Sequence, residues 1–154
     1  MRRKDRQISD MTDIESIISQ SDVCRVAFAD MNIPYIVTMN FGYCGGESPC
    51  LYFHCAPGGR KLEMIAKNNY VCFEMDTGHK LYGGEKGCDW GMNFSSVVGY
   101  GKISVISDKA LKINGLNTIM SQYSDRKDFS YDENILESTT ILKLDIEEIT
   151  GKIK

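Results

Sequence analysis

Long apolar runs are missing from this chain. No stretch approaches the ~20 consecutive apolar residues of a membrane-spanning helix, so no membrane span is expected. Histidine is scarce, with two residues, His54 and His79, which argues against a histidine-rich metal centre. The six cysteines, at positions 24, 44, 50, 55, 72 and 88, form no C-x-x-C pair. Neither a zinc knuckle nor a thioredoxin-type motif is therefore expected. There is one tryptophan, Trp90. Internal repeats, low-complexity tracts and linkers are absent, so one domain over residues 1–154 is expected. No Ser–His–Asp order, no pair of catalytic carboxylates and no metal-ligand cluster presents itself.

A strong charge of either sign is also lacking. The net charge of −3 gives no general reason to expect nucleic acid or an acidic membrane as a partner. The opening MRRKDR is locally basic, but Asp5 and the acidic segment behind it dilute that charge, and a solvated arm is the expectation. The first apolar stretch is interrupted by Asp13 and Glu15, which does not suit a signal peptide. A cytoplasmic chain with reduced cysteines is the expectation.

What is present is mostly alternation. VCRVAFA (23–29), PYIVTMNFGY (34–43), CLYFHC (50–55), VCFEMD (71–76), SSVVGYGKISVI (95–106) and TTILKLDIEEI (139–149) read as about six strands. In the second of these, Tyr35, Val37, Met39 and Phe41 share one face and Ile36, Thr38 and Asn40 the other. Helices are expected over roughly 11–20, capped by Asp10, over 58–68 with Leu62, Ile65 and Ala66 inward, and after Ser107 with Leu111, Leu116, Ile119, Met120 and Tyr123 as the apolar face. Segments 77–94 and 124–138 read as irregular. Gly99 and Gly101, two apart in a strand, mark a bulge, a barrel bend or a close approach. Short turns between strands predict a mainly β (α+β) fold, a closed or nearly closed six-stranded antiparallel barrel with flanking helices.

One stretch carries most of the chemistry. In HCAPGGRKL (54–62), a strand runs through two glycines into a helix. A helix start exposes unsatisfied N–H groups and the positive end of the dipole, which favour an anion. Gly58 and Gly59 permit close backbone approach, Arg60 adds a forked donor suited to phosphate and Lys61 a point charge. The order does not match a triphosphatase P-loop. A glycine turn with two solvated cations fits the same pattern, so residues alone leave both readings open. His54 and Cys55 look like a thiol–imidazole pair, but strand neighbours point to opposite faces, and Cys55 suits a core position better. Thr38 and Asn40 are either a solvent-facing stripe or hydrogen-bonding groups beside a flat polar ring. Trp90 either plugs a loop or covers a ligand, and Ser95 and Ser96 are either edge residues or ligand donors. A chain without its own reactive apparatus, holding a phosphate beside aromatic surface, points to a borrowed cofactor.

MRRKDR with the acidic helix behind it, PYIVTMNFGY, LYFHCAPGGRKL, CDWGMNFSSVVGYGK and DIEEITGK occur in order along nearly the whole chain. Together they resemble the pyridoxamine 5′-phosphate oxidase-related flavoproteins, and within them the 5-nitroimidazole-resistance (Nim-type) branch. The resemblance implies an FMN-binding split β-barrel, with FAD as the alternative cofactor, and a homodimer with flavin at the interface. It implies that Val37, Thr38, Met39 and Asn40 lie along the flavin ring, with His54 and Cys55 at the end of the third strand. Arg60 and Lys61 would grip the phosphate, Ser96 with Ser95 beside it would open the next long strand, and Trp90 would reach the partner's flavin. The vitamin-pathway oxidases carry a Tyr-Thr-type pair where this chain has His54-Cys55, and their C-terminal Trp and Arg elements have no counterpart here. Pyridoxamine phosphate is therefore not the expected substrate. The expected activity is flavin-dependent reduction of a nitroaromatic or similar electron-poor small molecule, with His54 as the catalytic residue. The alternative is a flavin- or haem-binding protein without reductase activity.

Overall fold

A computed structural model describes residues 4–154. Met1–Arg3 of the basic opening cluster lie outside the described residues. The chain order is β1 (Gln7–Ile8), α1 (Met11–Ser19), β2 (Cys24–Asp30), β3 (Ile33–Met39), β4 (Gly42–Cys44), β5 (Cys50–Cys55), α2 (Arg60–Lys67), β6 (Tyr70–Tyr82), β7 (Gly91–Ile106), α3 (Lys109–Tyr123), α4 (Glu133–Ser138) and β8 (Thr140–Ile153). The strands form an eight-stranded sheet in the order β3-β2-β6-β7-β8-β5-β4, with β1 added alongside β8. All pairings are antiparallel. Short turns and alternating sequences lead to this result, because hairpins need only local connections.

The expected six strands become eight, and the barrel does not close. The run 34–43 divides because two different neighbours claim its halves. Residues 33–39 pair with β2, whereas Gly42–Cys44 pair with β5. At the division Gly42 lies against the backbone of Thr118 and Ile119 in α3, with no room for a Cβ. Phe41 donates its N–H to the Tyr123 hydroxyl at 3.0 Å, and that hydroxyl donates to the Asp22 carbonyl, also at 3.0 Å. β3 and β4 are thus the two unpaired ends of the strand path, and the sheet is open between them.

Segment 77–94, expected to be irregular, extends a hairpin instead. β6 runs on to Tyr82 and β7 starts at Gly91, with Leu81 opposite Met92 and a register shift between Thr77 and Lys80. The segment lacks the inward alternation of a core strand because none of its side chains joins the buried core: Leu81 and Trp90 are both exposed. Trp90 plugs its own loop, donating its indole N–H to the Gly84 carbonyl at 3.0 Å. Gly101 explains the strand glycines. β7 shifts register against β8 between Tyr100 and Gly101, and a Cβ on Gly101 would run into the Asp145 carbonyl. Bulge and close approach coincide at this point.

Phe28, Phe41, Phe53, Phe73, Met75, Ile103, Leu142 and Leu144 are fully buried in one cluster with Ile14 and Ile18 of α1 and Met64 and Ile65 of α2. Each large side chain removed from water contributes about 1.5–3 kcal/mol. α1 starts as expected, with the Asp10 side chain accepting from Thr12 N–H at 2.8 Å. α3 is capped by Asp108 rather than Ser107. It turns Gly115 and Ile119 inward and leaves Leu111 exposed, because Gly115 lets the helix sit directly on Tyr52 and Ile141. Among the described residues no helix is long and apolar enough to cross a membrane.

Candidate functional site

The gap in the barrel holds a cavity of about 520 Å³, lined by Val37, Thr38, Met39, Asn40, His54, Cys55, Ala56, Lys61, Ser138 and Thr139. Four elements meet there. β3 supplies both faces of its last turnings, because it is an end strand with one neighbour. Its unpaired edge therefore offers backbone N–H and C=O groups to whatever lies beside it. β5 ends at the cavity with His54 and Cys55. As strand geometry requires, they separate: His54 is exposed, while Cys55 is half-buried against the main core.

α2 begins at the rim. Its N-cap, Gly59, has φ 109°, and no side chain caps the helix. The left-handed backbone here suits glycine. Lys61 reaches into the cavity with Nζ 3.7 Å from the Met39 sulfur, a weak acceptor that leaves the ammonium's charge uncompensated. Ser138 and Thr139 complete the lining at the junction of α4 and β8. Their hydroxyls donate backward, Ser138 to the Asn134 carbonyl at 2.8 Å and Thr139 to the Ile135 carbonyl at 2.6 Å. Each hydroxyl has one proton and spends it on that carbonyl, so toward any further partner it can only accept.

Arg60, Trp90, Ser95 and Ser96 lie outside this cavity within one chain. The Arg60 guanidinium sits 4.6 Å above the Tyr35 ring and faces a smaller cavity of about 130 Å³ with Asp30, Glu63 and Lys67. Trp90 is at the tip of the β6–β7 arm. Ser95 and Ser96 lie in β7 between β6 and β8, opposite Thr77 and Asp76 on one side and Ile153 and Lys152 on the other. Conversely, Ala56, Ser138 and Thr139 were not anticipated. Ala56 follows Cys55 directly, so contiguity alone would have suggested it. The two hydroxyl residues have no motif around them and reach the site only through the pairing of β8 with β5.

The outer face of β2, β6 and β7 carries a second feature, an apolar groove of about 370 Å³ lined by Arg25, Ala27, Ile36, Cys72, Phe73, Glu74 and Val98. Arg25 bridges Glu74, at 3.1 Å, and Asp76. Asp76 also meets His79 Nε2 at 2.6 Å. Burial pushes the Glu74 carboxyl pKa up, and the Asp76 charge adds to this against the pull of Arg25.

The family model described as pyridoxamine 5′-phosphate oxidase matches residues 10–153. The chain belongs to the pyridoxamine 5′-phosphate oxidase family. Among solved members, a candidate 5-nitroimidazole antibiotic resistance protein from Bacteroides thetaiotaomicron is 37% identical, with a TM-score of 0.83 over 96% of this chain and 86% of that one. Two more distant structures share the fold. The flavocytochrome Anf3 from Azotobacter vinelandii is 18% identical, with a TM-score of 0.83 over 100% of this chain and 72% of that one. An FAD- and haem-binding protein from Mycobacterium smegmatis is 16% identical, with a TM-score of 0.84 over 97% and 73%. No curated protein sequence matches the chain. The ordered motifs LYFHCAPGGRKL and CDWGMNFSSVVGYGK thus sit in a pyridoxamine 5′-phosphate oxidase-family split barrel, with resemblance to the nitroimidazole-resistance branch.

Proposed function

We propose that this chain binds a flavin, FMN in the first instance and FAD as the alternative, in the gap of the barrel and uses it to reduce nitroaromatic or similar electron-poor compounds. The observation that carries this reading is the single cavity gathering Val37, Thr38, Met39, Asn40, His54, Cys55 and Lys61. The lining fits the group. A flat heteroaromatic ring needs backbone donors and acceptors along one edge, which the free edge of β3 supplies. A phosphate needs a cation and a helix start, which Lys61 and α2 supply. The volume is within the range of about 300–1,000 Å³ usual for cofactor pockets.

When bound, the flavin supplies the reducing electrons. Thr38 and Asn40 would orient the ring through side-chain hydrogen bonds, and Lys61 would neutralise the phosphate together with Arg60, once Arg60 leaves the Tyr35 ring. Met39 and Val37 keep water from one side. His54, exposed at the end of β5, would donate a proton to, or orient, the electron-poor substrate.

A homodimer is part of the proposal. Ile36 is 64% exposed beside the apolar groove of β2, β6 and β7, which a second copy would cover. The β6–β7 arm would then carry Trp90, Ser95 and Ser96 toward the partner's cavity. Replacing Ile36 by aspartate is expected to convert a dimer to a monomer in sedimentation at micromolar concentration, with loss of flavin. A dimer that persists with flavin bound would move the interface to another face.

Freshly purified protein is expected to be yellow, with flavin absorption, and its reduced form to be reoxidised by a nitroimidazole faster than free reduced flavin is. A colourless protein that takes up no flavin defeats the whole reading. A yellow protein that reoxidises no faster than free flavin leaves a flavin-binding protein without the reductase activity. A Soret band on haem titration that His54→Ala abolishes would instead make His54 a haem ligand.

A further inference from the structure

The β4–β5 hairpin places Cys44 directly opposite Cys50. Opposed residues of an antiparallel pair have Cα atoms about 4.5 or 5.5 Å apart, according to the type of pair. Both spacings lie within the roughly 4.4–6.8 Å that a disulfide spans. Opposed residues also project from the same face of the sheet. The connecting segment 45–49 bends the chain back within five residues, with Gly46 at φ 97°. Among the described residues no other two of the six cysteines are strand partners: Cys24 faces Met39, Cys55 faces Thr140, and Cys72 faces Ala27 and Tyr100.

The two thiols differ in environment. Cys44 is exposed at the end of an end strand. Cys50 is buried beneath α3 with Tyr52, Ile119 and Ile141. Burial raises the Cys50 thiol pKa, with Lys143 pulling it down and Cys44 pushing it back up. Exchange needs an accessible attacking thiol, which Cys44 supplies, and a second thiol within disulfide reach of it, which the hairpin register makes of Cys50.

We propose that Cys44 and Cys50 form a reversible dithiol–disulfide site, oxidised by a low-molecular-weight disulfide such as oxidised glutathione. Cys44 loses its proton to solvent and attacks one sulfur of glutathione disulfide. That S–S bond breaks, a Cys44–glutathione bond forms, and one glutathione leaves and takes up a proton. Cys50 then loses its proton and attacks the Cys44 sulfur, expelling the second glutathione, which is protonated in turn. Two protein thiols are oxidised to one disulfide while one glutathione disulfide is reduced to two thiols. The hairpin that leads into His54 is covalently closed in one redox state and open in the other.

Glu47 lies between the two cysteines, so a glutamate-specific protease separates them unless a disulfide holds them. The full-length native chain is incubated with millimolar oxidised glutathione, remaining thiols are blocked with iodoacetamide, and the non-reduced digest is weighed by mass spectrometry. The peptide ending at Glu47 and the one beginning at Ser48 are expected as one joined species, two hydrogens lighter than their sum and separated by dithiothreitol. The joined species is lost in Cys44→Ser and in Cys50→Ala and retained in Cys55→Ser. Three results overturn the proposal: a single glutathione on Cys44 without joining, no modification at all, or joining that survives either of the first two substitutions. Cys44 is exposed, so its variant keeps the test decisive even if Cys50→Ala fails to fold.

Discussion

FMN affinity is expected to fall by two orders of magnitude or more when Arg60 and Lys61 are both replaced by alanine, measured by flavin fluorescence titration. Each residue offers a charge-assisted hydrogen bond of about 1.5–3 kcal/mol to a phosphate, and about 1.4 kcal/mol is a factor of ten in affinity. Geometry predicts that the single variants differ. Lys61 already projects into the cavity, held only by the Met39 sulfur at 3.7 Å, so it gives up little to meet an anion. Arg60 rests on the Tyr35 ring and must abandon a cation–π contact of about 0.5–1 kcal/mol at such an exposed position. Lys61→Ala is therefore expected to weaken binding more than Arg60→Ala. An unchanged affinity in the double variant would put the phosphate elsewhere and leave GGRK as a solvated turn.

Local pattern carried most of the strands, the family resemblance named most of the candidate site, and long-range competition decided the rest. CLYFHC is β5 residue for residue, because its flanking turns and apolar content leave no other choice. The same alternation made 34–43 look like one strand. Nothing within that run reveals that α3, more than seventy residues later, presses on Gly42 and moves its second half to another neighbour. In the β6–β7 arm, pairing without burial left no inward stripe to read. The cavity was legible where it is built from contiguous residues, Val37 to Asn40 and His54 to Cys55. It was not where two hydroxyls arrive through a distant pairing. The Cys44–Cys50 partnership is not legible in the sequence for the same reason, since C-x5-C is no motif and only the hairpin register makes the two thiols neighbours.

Replacing His54 by alanine is expected to lower the turnover of a nitro substrate by about a hundredfold, the lower end for a positioned general acid, while flavin affinity stays within a few-fold. The two effects separate because His54 stands at the exposed end of β5 and, in the proposed binding mode, Arg60 and Lys61 rather than His54 hold the phosphate. The tautomer-independent part of its role can be removed from the proton-transfer part by His54→Gln, which still hydrogen-bonds but carries no transferable proton. If His54 acts as the acid, glutamine leaves kcat low; if it only orients the substrate through a hydrogen bond, glutamine restores kcat. A fall in flavin affinity in either variant would reassign His54 from the reacting end to the binding set. Cys55 is the control within the same stretch: its half-buried side chain packs on the core, so Cys55→Ser is expected to leave the nitro-substrate rate constant in flavin-loaded protein near that of the parent. A rate loss matching that of the His54 variants would restore the thiol–imidazole pair that the strand geometry separates.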